Sequence, residues 1–131
     1  MKLAKQLLKE KQVHQLRLYQ KKSIQDIRNA FIKTKRKILL VAPTGSGKTV
    51  VASEMIRRVV QGGKSCLFVA HRRELIMQCS NKLHDFGVNH GVLMADKSPN
   101  PLASCQVASI QTFTARVDRD DFIKPSADLI I

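Results

Sequence analysis

A chain of 131 residues with 44% hydrophobic and 25% charged positions has ordinary globular composition, and it is long enough to bury roughly two-thirds of its unfolded surface. That is the composition of a soluble chain as a whole rather than of a disordered one, and no apolar run approaches the about 18 residues that a membrane-spanning helix needs. The net charge of +13 is concentrated: residues 1–37 carry twelve Lys/Arg against only Glu10 and Asp26, so this basic third points to an anionic partner such as nucleic acid, or else to a solubilising or disordered basic arm.

Residues 3–12 have the spacing of a short amphipathic helix, with Leu3, Leu7 and Leu8 on one face and lysines elsewhere. The lysines interrupt any signal-peptide core, and a segment with Lys but no Ser before Ser23 does not have the composition of a mitochondrial presequence. Leu16–Tyr19 reads as a brief extended or turn segment. From Gln20 to Ile32, Ile24, Ile27, Ala30 and Phe31 fall on one helical face. The run Lys33–Lys37 is a polar loop, and Ile38–Val41 is predicted to be a buried strand.

The next eight residues, Ala42-Pro43-Thr44-Gly45-Ser46-Gly47-Lys48-Thr49, carry the strongest chemical signal. Between a predicted strand and a predicted helix they form a phosphate-binding loop. Successive backbone N–H groups in such a turn converge on one concavity, and the helix start adds partial positive charge. Gly45 and Gly47 permit torsions and close approaches that a Cβ would block. Lys48 is placed to reach the β- and γ-phosphates of a nucleotide, and the Thr49 hydroxyl to ligate Mg²⁺. Thr44 and Ser46 complete the loop.

Downstream, strands and helices alternate. A helix from Thr49 to Gln61 stops at Gly62-Gly63, and a strand follows at 65–70. A second helix runs from about Arg73 to Phe86 and ends near Gly87. A weak strand at 91–95 leads through the loop 96–104 to a strand at 106–109 and a short helix at 110–116. After an acidic loop, Asp128–Ile131 begins a new apolar run. This alternation predicts an α/β fold with a mainly parallel sheet. Cys66, Cys79 and Cys105 include no CxxC pair; neither a disulfide framework nor a zinc site is expected, and a reducing compartment fits. The four histidines show no metal-ligand spacing.

Ala42, standing where the common phosphate loop has glycine, resembles the A-x-T-G-x-G-K-T loop of superfamily 2 DEAD/DEAH-box helicases and translocases. Leu16-Arg17-Leu18-Tyr19-Gln20 is similar to their L-R-x-Y-Q element. Val69-Ala70-His71-Arg72-Arg73-Glu74-Leu75 is similar to their motif Ia, and Ala108-Ser109-Ile110-Gln111-Thr112-Phe113 to a later strand-end motif that touches nucleic acid. The order and spacing match a first RecA-like domain from residue 16 onwards, in the style of restriction-enzyme motor subunits. Residues 1–15 then read as a basic helical extension, and 16–131 as a partial RecA-like three-layer α/β/α domain, incomplete at its C-terminus.

The resemblance implies an ATP-dependent enzyme acting on nucleic acid, DNA ahead of RNA, with ATP and Mg²⁺ as cofactors. Gln20 is implied to contact adenine through the donor and acceptor of its amide. Arg72 and Arg73, at the C-terminal end of a strand where α/β sheets place ligands, are candidate phosphate contacts, as are Ser109, Gln111 and Thr112 at a second strand end. The local alternatives are that Arg73 is a first-turn helix residue and that Ser109 caps the 110–116 helix. In the family the acidic D-E-x-H or D-E-x-D box follows a strand of the Asp-Leu-Ile-Ile type, and a second RecA-like domain supplies arginine fingers; neither is expected within these residues. The 131 residues alone are therefore expected to bind ATP but to hydrolyse it negligibly, in a cytoplasmic or, in a bacterium, nucleoid-associated setting. The alternative is a nucleic-acid-binding or regulatory module with a vestigial nucleotide site.

Overall fold

The computed structural model describes residues 15–131, so the amphipathic helix expected at 3–12 and the extension to residue 15 lie almost wholly outside the described residues. The chain divides into two compact units, one ending at Gly47 and the other comprising Lys48–Ile131.

In the first unit, helix α1 spans Leu18–Ile32 and buries Gln20, Ile24 and Ile27, the i, i+4, i+7 stripe of one helical face. It begins two residues earlier than the sequence reading, so Leu18 and Tyr19 are helical rather than extended. Phe31 belongs to the apolar spacing yet remains 40% exposed. The helix ends in a Schellman motif, in which the Thr34 amide donates to the Phe31 carbonyl and the Lys35 amide to that of Ala30. Thr34 occupies the left-handed position at φ 66°, where a β-branched residue is strained.

The strand expected at Ile38–Val41 does not form. A strand exists through ladder hydrogen bonds to a neighbour, and no described segment of the first unit runs extended beside this one. Leu39 and Val41 consequently remain 87% and 82% exposed. A continuous apolar run is a pattern that a buried strand requires, but it does not supply the partner.

The second unit is a parallel sheet with helices. Helix α2 (Lys48–Gln61) leads to β1 (Cys66–Ala70), then α3 (Arg73–Asp85), β2 (His90–Leu93), β3 (Cys105–Ser109), α4 (Ile110–Arg116) and β4 (Leu129–Ile130). The sheet order is β2-β3-β1-β4, with every pairing parallel. Strand alternation sorts the core into two faces. On one, Ile56 of α2 and Ile76, Cys79 and Leu83 of α3 pack with Cys66, Cys105 and Val107. On the other, Leu67, Leu93 and Ala108 gather Phe113 and Phe122, whose rings meet edge to face at 6.0 Å. The result is α/β and consistent with a RecA-like fold.

Two local devices hold the layers. Helix α3 ends in the same Schellman motif as α1, but with Gly87 at φ 70°; the Val88 amide donates to the Leu83 carbonyl at 2.8 Å, and both side chains enter the core. Gln106, 2% exposed, donates from its amide to the carbonyls of Asn100 and Ala103 at 2.7 and 3.0 Å, tying the β2–β3 connection to the sheet. Gly91, its register partner, leaves room for that amide: a Cβ there would lie 2.7 Å from the Asn100 carbonyl oxygen.

The three cysteines are buried and free. Burial pushes the Cys66 thiol up to about 11 and those of Cys79 and Cys105 up to about 12, which makes them packing groups rather than nucleophiles. Among the described residues no helix is long and apolar enough to cross a membrane, and no group of three or more His, Cys, Asp or Glu side chains is placed to hold a metal.

Candidate functional site

The glycine loop closes the first unit. The Ser46 amide donates to the Pro43 carbonyl at 3.2 Å, forming a turn with Gly45 at its third position and φ 78°, as a type II turn requires. Gly47 follows at φ 81°. Two positive-φ residues flank Ser46, and its Oγ is buried with no hydrogen-bond partner among the described residues. Thr44 is exposed beside it. In the chain Gly47 is followed directly by Lys48, the first residue of α2, with Lys48 exposed and Thr49 half-buried.

Helix α1 grips this loop from its first turn. The Tyr19 hydroxyl donates to the Ser46 carbonyl at 2.6 Å, and the Gln20 amide donates to the same oxygen at 3.3 Å. The Gln20 carbonyl oxygen accepts from the Arg17 backbone amide at 2.9 Å. Gln20 is thus 5% exposed, with both ends of its amide engaged within the first unit. Tyr19 is a tether for the loop and is itself 45% exposed. Arg17 donates to its hydroxyl at 3.2 Å.

A second cluster lies within the other unit, at the C-terminal edge of its sheet. The β1–β3 register sets Ala70 beside Ser109, so the residues that follow these strands are neighbours. Ser109 Oγ donates to the Gln111 carbonyl oxygen at 2.8 Å, and the Gln111 amide donates to the His71 backbone carbonyl at 3.2 Å. Ser109 occupies the N-cap position of α4 but makes no capping hydrogen bond; its hydroxyl serves Gln111 instead. Thr112 is half-buried in the first turn of α4.

The two arginines of this edge diverge. Arg72 is exposed and has no side-chain ion pair among the described residues. Arg73 makes a two-pronged ion pair with Asp96, Nη1 to Oδ1 at 3.0 Å and Nη2 to Oδ2 at 2.9 Å. Hydrogen bonding from Arg73 holds the Asp96 carboxyl below its usual range. Asp96 was not singled out from the sequence: it lies 23 positions from Arg73, and no periodicity links them.

A parallel α/β layer and a glycine loop leading into a helix together have the plan of a phosphate-loop protein. Comparison with known proteins specifies the group: residues 13–131 match the family described as "Type III restriction enzyme, res subunit", and the chain belongs to that family, the N-terminal region of superfamily 2 helicases. It is 30% identical over 122 residues to the type I restriction enzyme EcoKI endonuclease subunit of Escherichia coli (strain K12), covering 86% of this chain and 10% of that protein. It is 31% identical over 100 residues to a Schizosaccharomyces pombe (strain 972) protein described as a mitochondrial ATP-dependent helicase, covering 72% and 16%. A 51.5 kDa protein of a Lactococcus phage is 38% identical over 68 residues, half of this chain and 15% of that protein. The chain thus spans between 10% and 16% of the length of these relatives.

Proposed function

We propose that this helicase-like segment binds ATP with Mg²⁺ through its glycine loop and a nucleic-acid backbone through the C-terminal edge of its sheet. The observation that carries the nucleotide reading is Ser46, whose buried Oγ lacks a partner among the described residues and sits between two positive-φ glycines. Such a turn aims backbone N–H groups into a concavity suited to an oxyanion, and an unspent hydroxyl there fits a phosphate oxygen. Gly45, Ser46 and Gly47 would supply the cradle, Thr44 its rim, Lys48 the cation facing the outer phosphates and Thr49 the hydroxyl for Mg²⁺. Bound Mg²⁺ would neutralise charge on those phosphates.

Gln20 as the adenine contact requires its amide to leave the bonds it makes to Ser46 and Arg17. Its present engagement favours a second role, in which it reports loop geometry to the start of α1. Arg72, Arg73, Ser109, Gln111 and Thr112 make up the nucleic-acid face in this reading, with DNA favoured by the restriction-enzyme relatives.

Catalysis of hydrolysis needs an acidic group that completes the metal site and a group that orients water, and usually an arginine finger worth on the order of 10³–10⁵ in rate. The 131 residues are assigned no such set, so this polypeptide alone is expected to bind ATP without appreciable turnover. Titration calorimetry with Mg-ATP tests the reading. Binding abolished by Lys48→Ala supports it, and no binding, or binding indifferent to Lys48→Ala, refutes it. Rapid turnover by the isolated chain, lost in Lys48→Ala, would overturn the hydrolytic part. Single-strand binding that survives Lys48→Ala but not removal of residues 1–37 would favour the alternative, a nucleic-acid-binding module with a vestigial nucleotide site.

A further inference from the structure

The sheet edge that carries Arg72, Arg73, Ser109 and Gln111 has already satisfied most of its own polar groups. Ser109 and Gln111 bond to each other and to the His71 carbonyl. Both terminal nitrogens of Arg73 are spent on the two oxygens of Asp96. An oxyanion arriving here therefore meets an arginine fork that already holds one.

The geometry of that pair matters. Two parallel N–H···O bonds to one carboxylate are the arrangement in which a guanidinium also receives two oxygens of a phosphate. Both side chains are about half exposed, at 54% and 55%, so water and salt reach the pair and it can exchange partners. Asp96 sits in the turn after β2, where the Lys97 amide donates to the Met94 carbonyl. The ion pair thus joins the first residue of α3 to the connection between β2 and β3.

We propose that Asp96 is an internal stand-in for backbone phosphate, a latch that occupies Arg73 until a single strand displaces it. This rests on the nucleic-acid reading above and adds its regulation. Opening the latch transfers the Arg73 fork from carboxylate to phosphate and leaves Asp96 to water. Its cost is subtracted from the affinity for the strand, so Asp96 tunes binding without touching the ligand.

The test is a double-mutant cycle on the full chain with a fluorescently labelled single-stranded oligothymidine, read by anisotropy over a series of salt concentrations. Circular dichroism verifies that the exposed substitutions leave the fold intact. Asp96→Asn is expected to tighten binding about two- to fivefold, the worth of an exposed ion pair. Arg73→Gln is expected to weaken it and to lower the salt slope by about 0.7, one single-strand phosphate contact. In the Arg73→Gln background Asp96→Asn should gain distinctly less. Equal gains in both backgrounds would mean only that a negative charge was removed, and the latch fails. Weaker binding by Asp96→Asn also overturns it, because Asp96 would then be orienting Arg73 rather than masking it. If wild type and all variants fail to bind, the nucleic-acid reading fails and the latch falls with it; binding without coupling defeats the latch alone.

Discussion

Tyr19 and Ser46 lie 27 positions apart and are joined by a 2.6 Å hydrogen bond from the phenol to the loop carbonyl. The bond fixes the middle of the glycine loop against the first turn of α1. It adds to the bond from the Ser46 amide to the Pro43 carbonyl that closes the turn. Tyr19→Phe keeps the ring and removes this bond, so the Ser46 carbonyl retains only the longer one from Gln20. A neutral hydrogen bond contributes about 0.5–1.5 kcal/mol, and the variant is expected to bind Mg-ATP about two- to tenfold more weakly. Faster amide hydrogen exchange at Gly45–Gly47 should accompany the loss. Unchanged exchange and affinity would show that the loop holds its shape without the tether.

Thr34 and Gly87 occupy the same left-handed position in two Schellman motifs, at φ 66° and 70°. Glycine adopts that conformation without penalty, whereas a side chain there costs roughly 1–2 kcal/mol. Thr34 recovers part of this through the 2.6 Å bond from its hydroxyl to the Lys33 carbonyl. Thr34→Gly is therefore expected to stabilise the chain by roughly 0.5–1 kcal/mol after the entropy of the unfolded glycine is counted. A higher urea midpoint and slower exchange in the last turn of α1 are the readouts. A lower midpoint would mean that the hydroxyl bond outweighs the strain.

Glu54, 7% exposed, accepts two hydrogen bonds from Arg57 and one from Arg58, each 2.7 Å. The bonds from Arg57 hold its carboxyl below the ordinary range, against the upward push of burial. The unfolded carboxyl titrates near about 4.3. Its stabilising contribution is thus fully present above that pH and is lost as pH falls through the lower folded value. Glu54→Gln is expected to cost roughly 1.5–3 kcal/mol at neutral pH, the range for hydrogen bonds to charged groups. The gap from wild type should close as both are acidified. A gap constant with pH in urea unfolding would assign the loss to packing instead of charge.

The elements most legible from sequence were those whose cues are local. The stop at Gly62-Gly63, the end near Gly87 and the helix at 110–116 rest on chain stiffness and hydrophobic period, and each appears where those cues put it. Ile38–Val41 shows the limit of such cues, since its apolar run is complete and yet no described segment of its own unit pairs with it as a strand. The candidate site divides the same way. Gly45 and Gly47 were readable because only glycine takes their torsions easily. Tyr19's bond to Ser46 and Arg73's to Asp96 had no signature, because each joins residues far apart in the chain.

By itself the sequence determined the α/β alternation, the glycine loop ahead of a helix and the helicase-family membership. These are carried by residue type at short spacing, and short spacing is what backbone stiffness and helical or strand period act upon. Only the tertiary structure decided which polar groups are already spent. Gln20 is engaged at both ends of its amide, Arg73 is held by a carboxylate, and Ser46 Oγ is left without a partner among the described residues. Those outcomes depend on which distant groups the parallel register and the α1-to-loop contact bring within hydrogen-bonding distance, and no local pattern specifies that.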